Sequence, residues 1–165
     1  MSLIVQDPLA PTTTANSYTS LADARTRALF LGVELPTDDD KATSALFEGA
    51  QYVDSKRYQG KTLIDFQITA MPRTGVMIGG AEYPSDQIPQ DFTDAQIYAA
   101  VAAGVGGLWS SEKSGQNIKK EKVASLEVEY TDSGKKSGVV SVGRADSLLY
   151  KYTCSAGGHN FFMVV

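Results

Sequence analysis

The run from Ile88 to Tyr130 constrains this chain more than any other stretch. Ile88-Pro89 opens a helix, with Asp91 or Thr93 placed to cap its free backbone N–H groups. Ile97, Val101, Val105 and Leu108 then fall at i, i+4, i+8 and i+11, one helical stripe. Ala95, Ala99, Ala102, Gly106 and Trp109 form a neighbouring stripe of mostly small residues. A helix apolar nearly all round is buried among other elements, and small side chains let those elements come close. Gly104, Gly106 and Gly107 each weaken a helix interior by about 1 kcal/mol relative to Ala. Packing, more than intrinsic propensity, must therefore hold this helix. After a polar link and a basic knot (Lys119, Lys120, Lys122), Ala124, Leu126, Val128 and Tyr130 alternate with Ser125, Glu127 and Glu129. That is the pattern of a half-buried strand.

One such helix needs partners, and 165 residues supply them within a single domain with a real core. Upstream, Ser20 with Asp23 three residues on starts a helix in the manner of a capping box. Leu21, Ala24, Ala28 and Leu31 share its inner face, and Gly32 stops it. A second helix begins at Thr37 or Asp38, after Pro36, and runs to about Tyr58, with Leu46, Ala50 and Val53 as its buried stripe. Asp38-Asp39-Asp40 reads as a cap plus favourable charge at a helix N-terminus. A metal site would need a second acidic or His cluster to complete it.

From Gln59 to Gln87 the periodicity disappears, and an irregular loop of this length in a compact domain is usually functional. Within it, Met71-Pro72-Arg73 followed by Gly75 reads as a fixed turn presenting an arginine. Downstream of the strand, Thr131 to Gly138 reads as a hairpin loop, Val139 to Val142 as the return strand, and Ala145 to Tyr152 as a short helix capped from the Gly143 side. The expected fold is mainly α with a peripheral β-hairpin. It is a small helical bundle with a core over about 19–112, a hairpin and C-terminal arm over about 118–165, and extended arms at both ends.

Little in this arrangement suggests chemistry. Gly60-Lys61-Thr62 resembles the end of a phosphate-binding loop, but Ser55 stands where that loop requires glycine, and a helix precedes it instead of a strand. Cys154 and His159, each the only one of its kind, flank a glycine hinge without a third orienting group. Zinc-ligand spacing and a serine nucleophile elbow are missing. The reading is of a non-enzyme without catalytic residues, cofactor or metal. A single cysteine excludes an internal disulfide framework. The N-terminus lacks the features of a signal peptide, and the run Ile97–Trp109 is short of the roughly 20 residues that cross a bilayer. A soluble protein of the cytoplasm is expected. The net charge of −4 argues against a dedicated nucleic-acid binder, while Lys119, Lys120, Lys122 and Arg73 remain candidates to face DNA or a protein partner.

The C-terminus Asn160-Phe161-Phe162-Met163-Val164-Val165 is apolar where most termini are polar. Phe161, Phe162 and Val164 are therefore candidates to order on a sheet edge, in the same subunit or the next, with Leu3 and Val5 as candidates to do likewise.

Four stretches resemble a family of small tailed-bacteriophage virion proteins, the head–tail connector or head-completion adaptor proteins. They are Leu3-Ile4-Val5 with Ala15-Asn16-Ser17-Tyr18 and Ser20-Leu21-Ala22-Asp23; Ala50 to Tyr58 leading to Met71-Pro72-Arg73 and Gly75; Ile88-Pro89 and its Ala-rich helix; and Ile118 to Val123 with Glu127-Val128-Glu129-Tyr130. Relatives often have Trp where this chain has Met71. The resemblance implies a homo-oligomeric ring, twelvefold, between a portal protein and a stopper or tail-completion protein, with DNA passing through its lumen. It places the protein in the virion, and in the host cytoplasm during assembly, with no membrane partner. Some relatives are labelled DnaT-like single-stranded-DNA-binding proteins, which makes a DNA-binding accessory protein the alternative.

Overall fold

The computed structural model describes residues 2–108, 120–123, 126–129 and 140–154. In order these give α1 (Leu21–Leu31), α2 (Asp39–Asp54), β1 (Lys61–Thr62), β2 (Arg73–Thr74), β3 (Met77–Ile78), β4 (Ala81–Glu82) and α3 (Gln90–Gly106). Then follow β5 (Lys120–Val123), β6 (Leu126–Glu129), β7 (Ser141–Val142), α4 (Gly143–Leu149) and a 3-10 turn (Tyr150–Tyr152). The fold is mainly α with small antiparallel strand groups: β1 with β2, β3 with β4, and a three-stranded sheet in the order β5-β6-β7. None of the described helices is long and apolar enough to cross a membrane.

The expected starts of the first two helices and the stop of the first are present, with local chemistry to explain them. Ser20 accepts from the Asp23 N–H, and Gly32 closes α1 at φ 68°. Asp38 accepts from the Lys41 N–H at the head of α2. That helix ends at Asp54, short of the expected Tyr58, because Tyr58 folds back and its hydroxyl donates to the Val53 carbonyl at 2.7 Å.

α3 is the buried axis. Phe92 and every residue from Asp94 to Val101 are buried, and α2 makes its largest contact with this helix. The small-residue stripe explains the fit. A Cβ on Gly49 of α2 would strike the Gln96 carbonyl and lie 2.9 Å from the Ala100 nitrogen, so the two backbones touch only because Gly49 has no side chain. The cap differs from expectation: Pro89 occupies it with no side-chain hydrogen bond. Asp91 instead accepts from the Tyr152 hydroxyl at 2.6 Å and pairs with Lys151 at 2.8 Å.

Within the apolar stripes sits one fully buried amide. Gln96 accepts the Tyr18 N–H at 2.9 Å and donates to Ser17 Oγ at 2.7 Å and to the Leu46 carbonyl at 2.9 Å. It thereby stitches the N-terminal arm and α2 to α3. Phe92 is the aromatic centre of the same core, with Tyr18, Tyr58 and Tyr152 at ring-centroid distances of 5.6, 5.1 and 5.2 Å. At the other end Tyr52 donates to Asp146 at 2.7 Å and accepts the Val142 N–H at 2.9 Å, tying α2 to β7 and α4.

The hairpin begins earlier than the alternating pattern suggests. Lys120–Val123 is already a strand, paired with β6, and Val123 stands opposite Leu126. The expected pairing with the return strand also forms, as Val128 opposite Val142 and Glu129 opposite Ser141.

Candidate functional site

The loop between α2 and α3 is held by two anchors. The first is Asp54 at the last turn of α2. The Tyr18 hydroxyl donates to its carboxylate, the Ala70 N–H donates to Asp54 Oδ1 at 2.7 Å and to the Tyr18 oxygen at 2.8 Å, and the Met71 N–H reaches the same oxygen at 3.3 Å. Burial pushes the Asp54 carboxyl up to about 6, although both the Tyr18 hydroxyl and the Ala70 N–H favour its ionised form. The Tyr18 phenol is raised well above its ordinary value, first by burial and then by the neighbouring Asp54 charge.

The second anchor corrects an expectation. Arg73 is not presented outward: its guanidinium donates to the carbonyls of Gln59 (2.8 Å), Gly60 (3.0 Å) and Ala70 (3.2 Å). A planar fork of N–H donors suits three converging carbonyls. Burial lowers its pKa. Gly60 turns at φ 69° beneath it, where a Cβ would collide with the Thr74 carbonyl.

Between these anchors the loop projects apolar side chains. Leu63, Phe66 and Ile68 are exposed, Phe66 to 90 %. Phe66 also sits at φ 61°, a left-handed conformation that bulky residues rarely adopt. Beside it Gln67 turns inward, donating to the carbonyls of Thr69 at 2.8 Å and Pro72 at 3.1 Å. A bulky residue held in this conformation on a braced loop stores local backbone strain.

A second apolar feature lies on α1. Leu29 and Phe30 are 78 % and 80 % exposed, side by side. Two open grooves flank them, one of about 350 Å³ that Phe30 lines and one of about 440 Å³ that Leu29 lines. The arginines of this face are already engaged. Arg27 holds Asp94 through two 2.8 Å hydrogen bonds, and Arg25 pairs with Asp39 at 2.7 Å. What α1 offers a neighbour is therefore chiefly apolar.

The other candidates fall into three groups. Lys119, Phe161, Phe162 and Val164 lie outside the described residues, as does His159. Lys120 and Lys122 lie on β5, in register with Glu129 and Glu127 of β6. Leu3 packs partly against the core, and Val5 forms a parallel bridge with Ser17 of its own chain. The described part of the N-terminal arm thus docks on its own subunit. Cys154 is exposed and its thiol points to the Tyr58 carbonyl at 3.3 Å. No cluster of three or more metal-ligating side chains occurs among the described residues.

The α1 pair and Phe66 were legible only indirectly. Leu21, Ala24, Ala28 and Leu31 claim the inner face of α1, which leaves Leu29 and Phe30 outside it; Leu63, Ile64, Phe66 and Ile68 are too apolar for an ordinary solvated loop.

Compared with known proteins, the chain matches, over residues 1–165, the model of a family described as "Putative DnaT-like ssDNA binding protein". No curated protein and no solved structure matches it.

Proposed function

We propose a structural role for this chain, which belongs to the DnaT-like ssDNA binding family: a head–tail connector subunit of a tailed-phage virion. It assembles as a ring, twelvefold by the resemblance noted above, between a portal protein and a stopper or tail-completion protein. It works in the virion after assembly in the host cytoplasm, with DNA passing through the ring. One observation carries this reading. Leu29 and Phe30 on α1 stand exposed beside arginines that are paired internally, and Phe66 stands exposed on its own braced loop. Isolated exposed apolar residues are ordinary, but adjacent large ones on rigid elements are the anchors around which protein interfaces form.

The test is the oligomeric state of the full chain, by light scattering and electron microscopy, alone and with the portal protein. Rings or portal-bound complexes are expected for the parent, and their loss in the L29S/F30S variant with its helix content intact. A parent chain that stays monomeric with the portal present refutes the role.

The family description favours a second reading, single-stranded DNA binding. Its ingredients are the lysines of β5 and an exposed Phe66 on which a base can stack. Fluorescence anisotropy with a labelled oligothymidylate separates the two. Tight binding at physiological salt, lost in Phe66→Ala, makes DNA binding the function; weak, salt-sensitive binding leaves the structural role in place.

A further inference from the structure

The N-terminal arm carries an open strand edge. In the parallel bridge between Val5 and Ser17, the Ser17 N–H donates to the Ile4 carbonyl at 3.2 Å and the Gln6 N–H to the Ser17 carbonyl at 2.9 Å. The Ile4 N–H is taken by Asn16 Oδ1 at 2.8 Å. Ile4 and Gln6 therefore direct these main-chain groups inward. Along a strand such groups alternate sides, so those of Leu3 and Val5 face away from the bridge. Among the described residues none of these outward groups has a main-chain partner.

Ile4 and Val5 are 44 % and 43 % exposed in the single chain, so the edge stays open within one subunit.

We propose that the Leu3–Gln6 edge receives a β-strand from a second copy of this chain, and that the strand is the C-terminal segment Asn160–Val165. Its five consecutive apolar residues are rich in Phe and Val, which favour strands. Pairing supplies main-chain hydrogen bonds to Leu3 and Val5. The segment starts from a fixed point, since the Cys154 N–H donates to the Arg57 carbonyl at 2.9 Å. The residues from Ser155 to Val165 span at most about 36–40 Å when extended, enough to cross to a neighbouring subunit. Strand exchange of this kind requires neither a portal nor DNA, so it stands or falls apart from the functional reading.

The experiment uses the full chain, mixed from isotopically heavy and light preparations, with a photo-cross-linking residue in place of Phe162. Heavy-to-light cross-links from position 162 to residues 3–6 are expected. Val5→Pro removes an outward N–H while leaving the inward bonds of Ile4 and Gln6 in place, and proline is tolerated on strand edges. It should reduce those cross-links, and the association constant, by at least about tenfold. Like-isotope cross-links alone, cross-links elsewhere, or a monomer at all concentrations would overturn the proposal. So would parental association by Val5→Pro.

Discussion

Replacing Asp54 by Asn isolates the energetics of the loop anchor. In the folded chain burial holds the Asp54 carboxyl protonated up to about pH 6, whereas in the unfolded chain it ionises near 3.8. Between those values the folded state binds the extra proton, so the contribution of Asp54 to stability is fully present below about pH 4 and is lost as the pH rises through 6. At 1.36 kcal/mol per pKa unit the loss amounts to about 3 kcal/mol. Asn keeps an oxygen to accept the Ala70 N–H and the Tyr18 hydroxyl but has no charge to desolvate. Urea titrations followed by helical circular dichroism at pH 4 to 8 should show parent and variant nearly equal at the acid end. At pH 8 the variant should be more stable by about 3 kcal/mol. Every other titrating group cancels in the difference between the two proteins. Parallel curves, or a variant less stable at pH 8, would refute the argument that desolvation dominates this site.

Gly49→Ala should destabilise the fold by about 1–3 kcal/mol in thermal melts, because the added Cβ meets the α3 backbone; helix propensity alone predicts the opposite sign. Asp146 should show a pH dependence opposite to that of Asp54. Burial raises its pKa, but hydrogen bonds from Lys56, Tyr52 and Ser141 outweigh that and lower it. Its stabilisation is present above about pH 4 and fades below, so Asp146→Asn should be destabilising at pH 7 and near neutral in strong acid, by the same titrations. Changing Lys119, Lys120 and Lys122 together to Ser should weaken assembly or DNA retention in a salt-dependent manner, read by sedimentation at 50 and 500 mM salt; insensitivity to salt refutes an electrostatic role for the knot.

The sequence reveals those parts of this fold that local chemistry specifies. Ser20, Gly32 and Asp38 mark helix ends because one side chain or one backbone angle decides each of them. The burial of α3 is visible because its apolar residues run nearly all round. Gln96 lies in the same helix and gives no such signal, since its partners come from residues 17, 18 and 46. The Tyr18–Asp54–Ala70 anchor is invisible for the same reason: three ordinary residues meet only when the arm, α2 and the loop have packed. β5 escapes notice because Lys-Glu-Lys has no apolar face to alternate with, and its pairing appears only against β6. At the candidate interface the sequence identifies the residues left over from the inner stripe of α1, but whether they are exposed depends on what the rest of the chain covers.

The cluster around Phe92 has a consequence for the order of events during synthesis. Its rings come from positions 18, 58, 92 and 152, so the core is not complete until the last described turn has been made. Thr153 then bridges Tyr58, and the Gln59 and Cys154 amides close onto Tyr152 and Arg57. A growing chain therefore carries Leu29, Phe30 and the N-terminal edge for most of its length without the finished core beneath them. A chain interrupted before Tyr152 lacks one of the rings that close the core around Phe92.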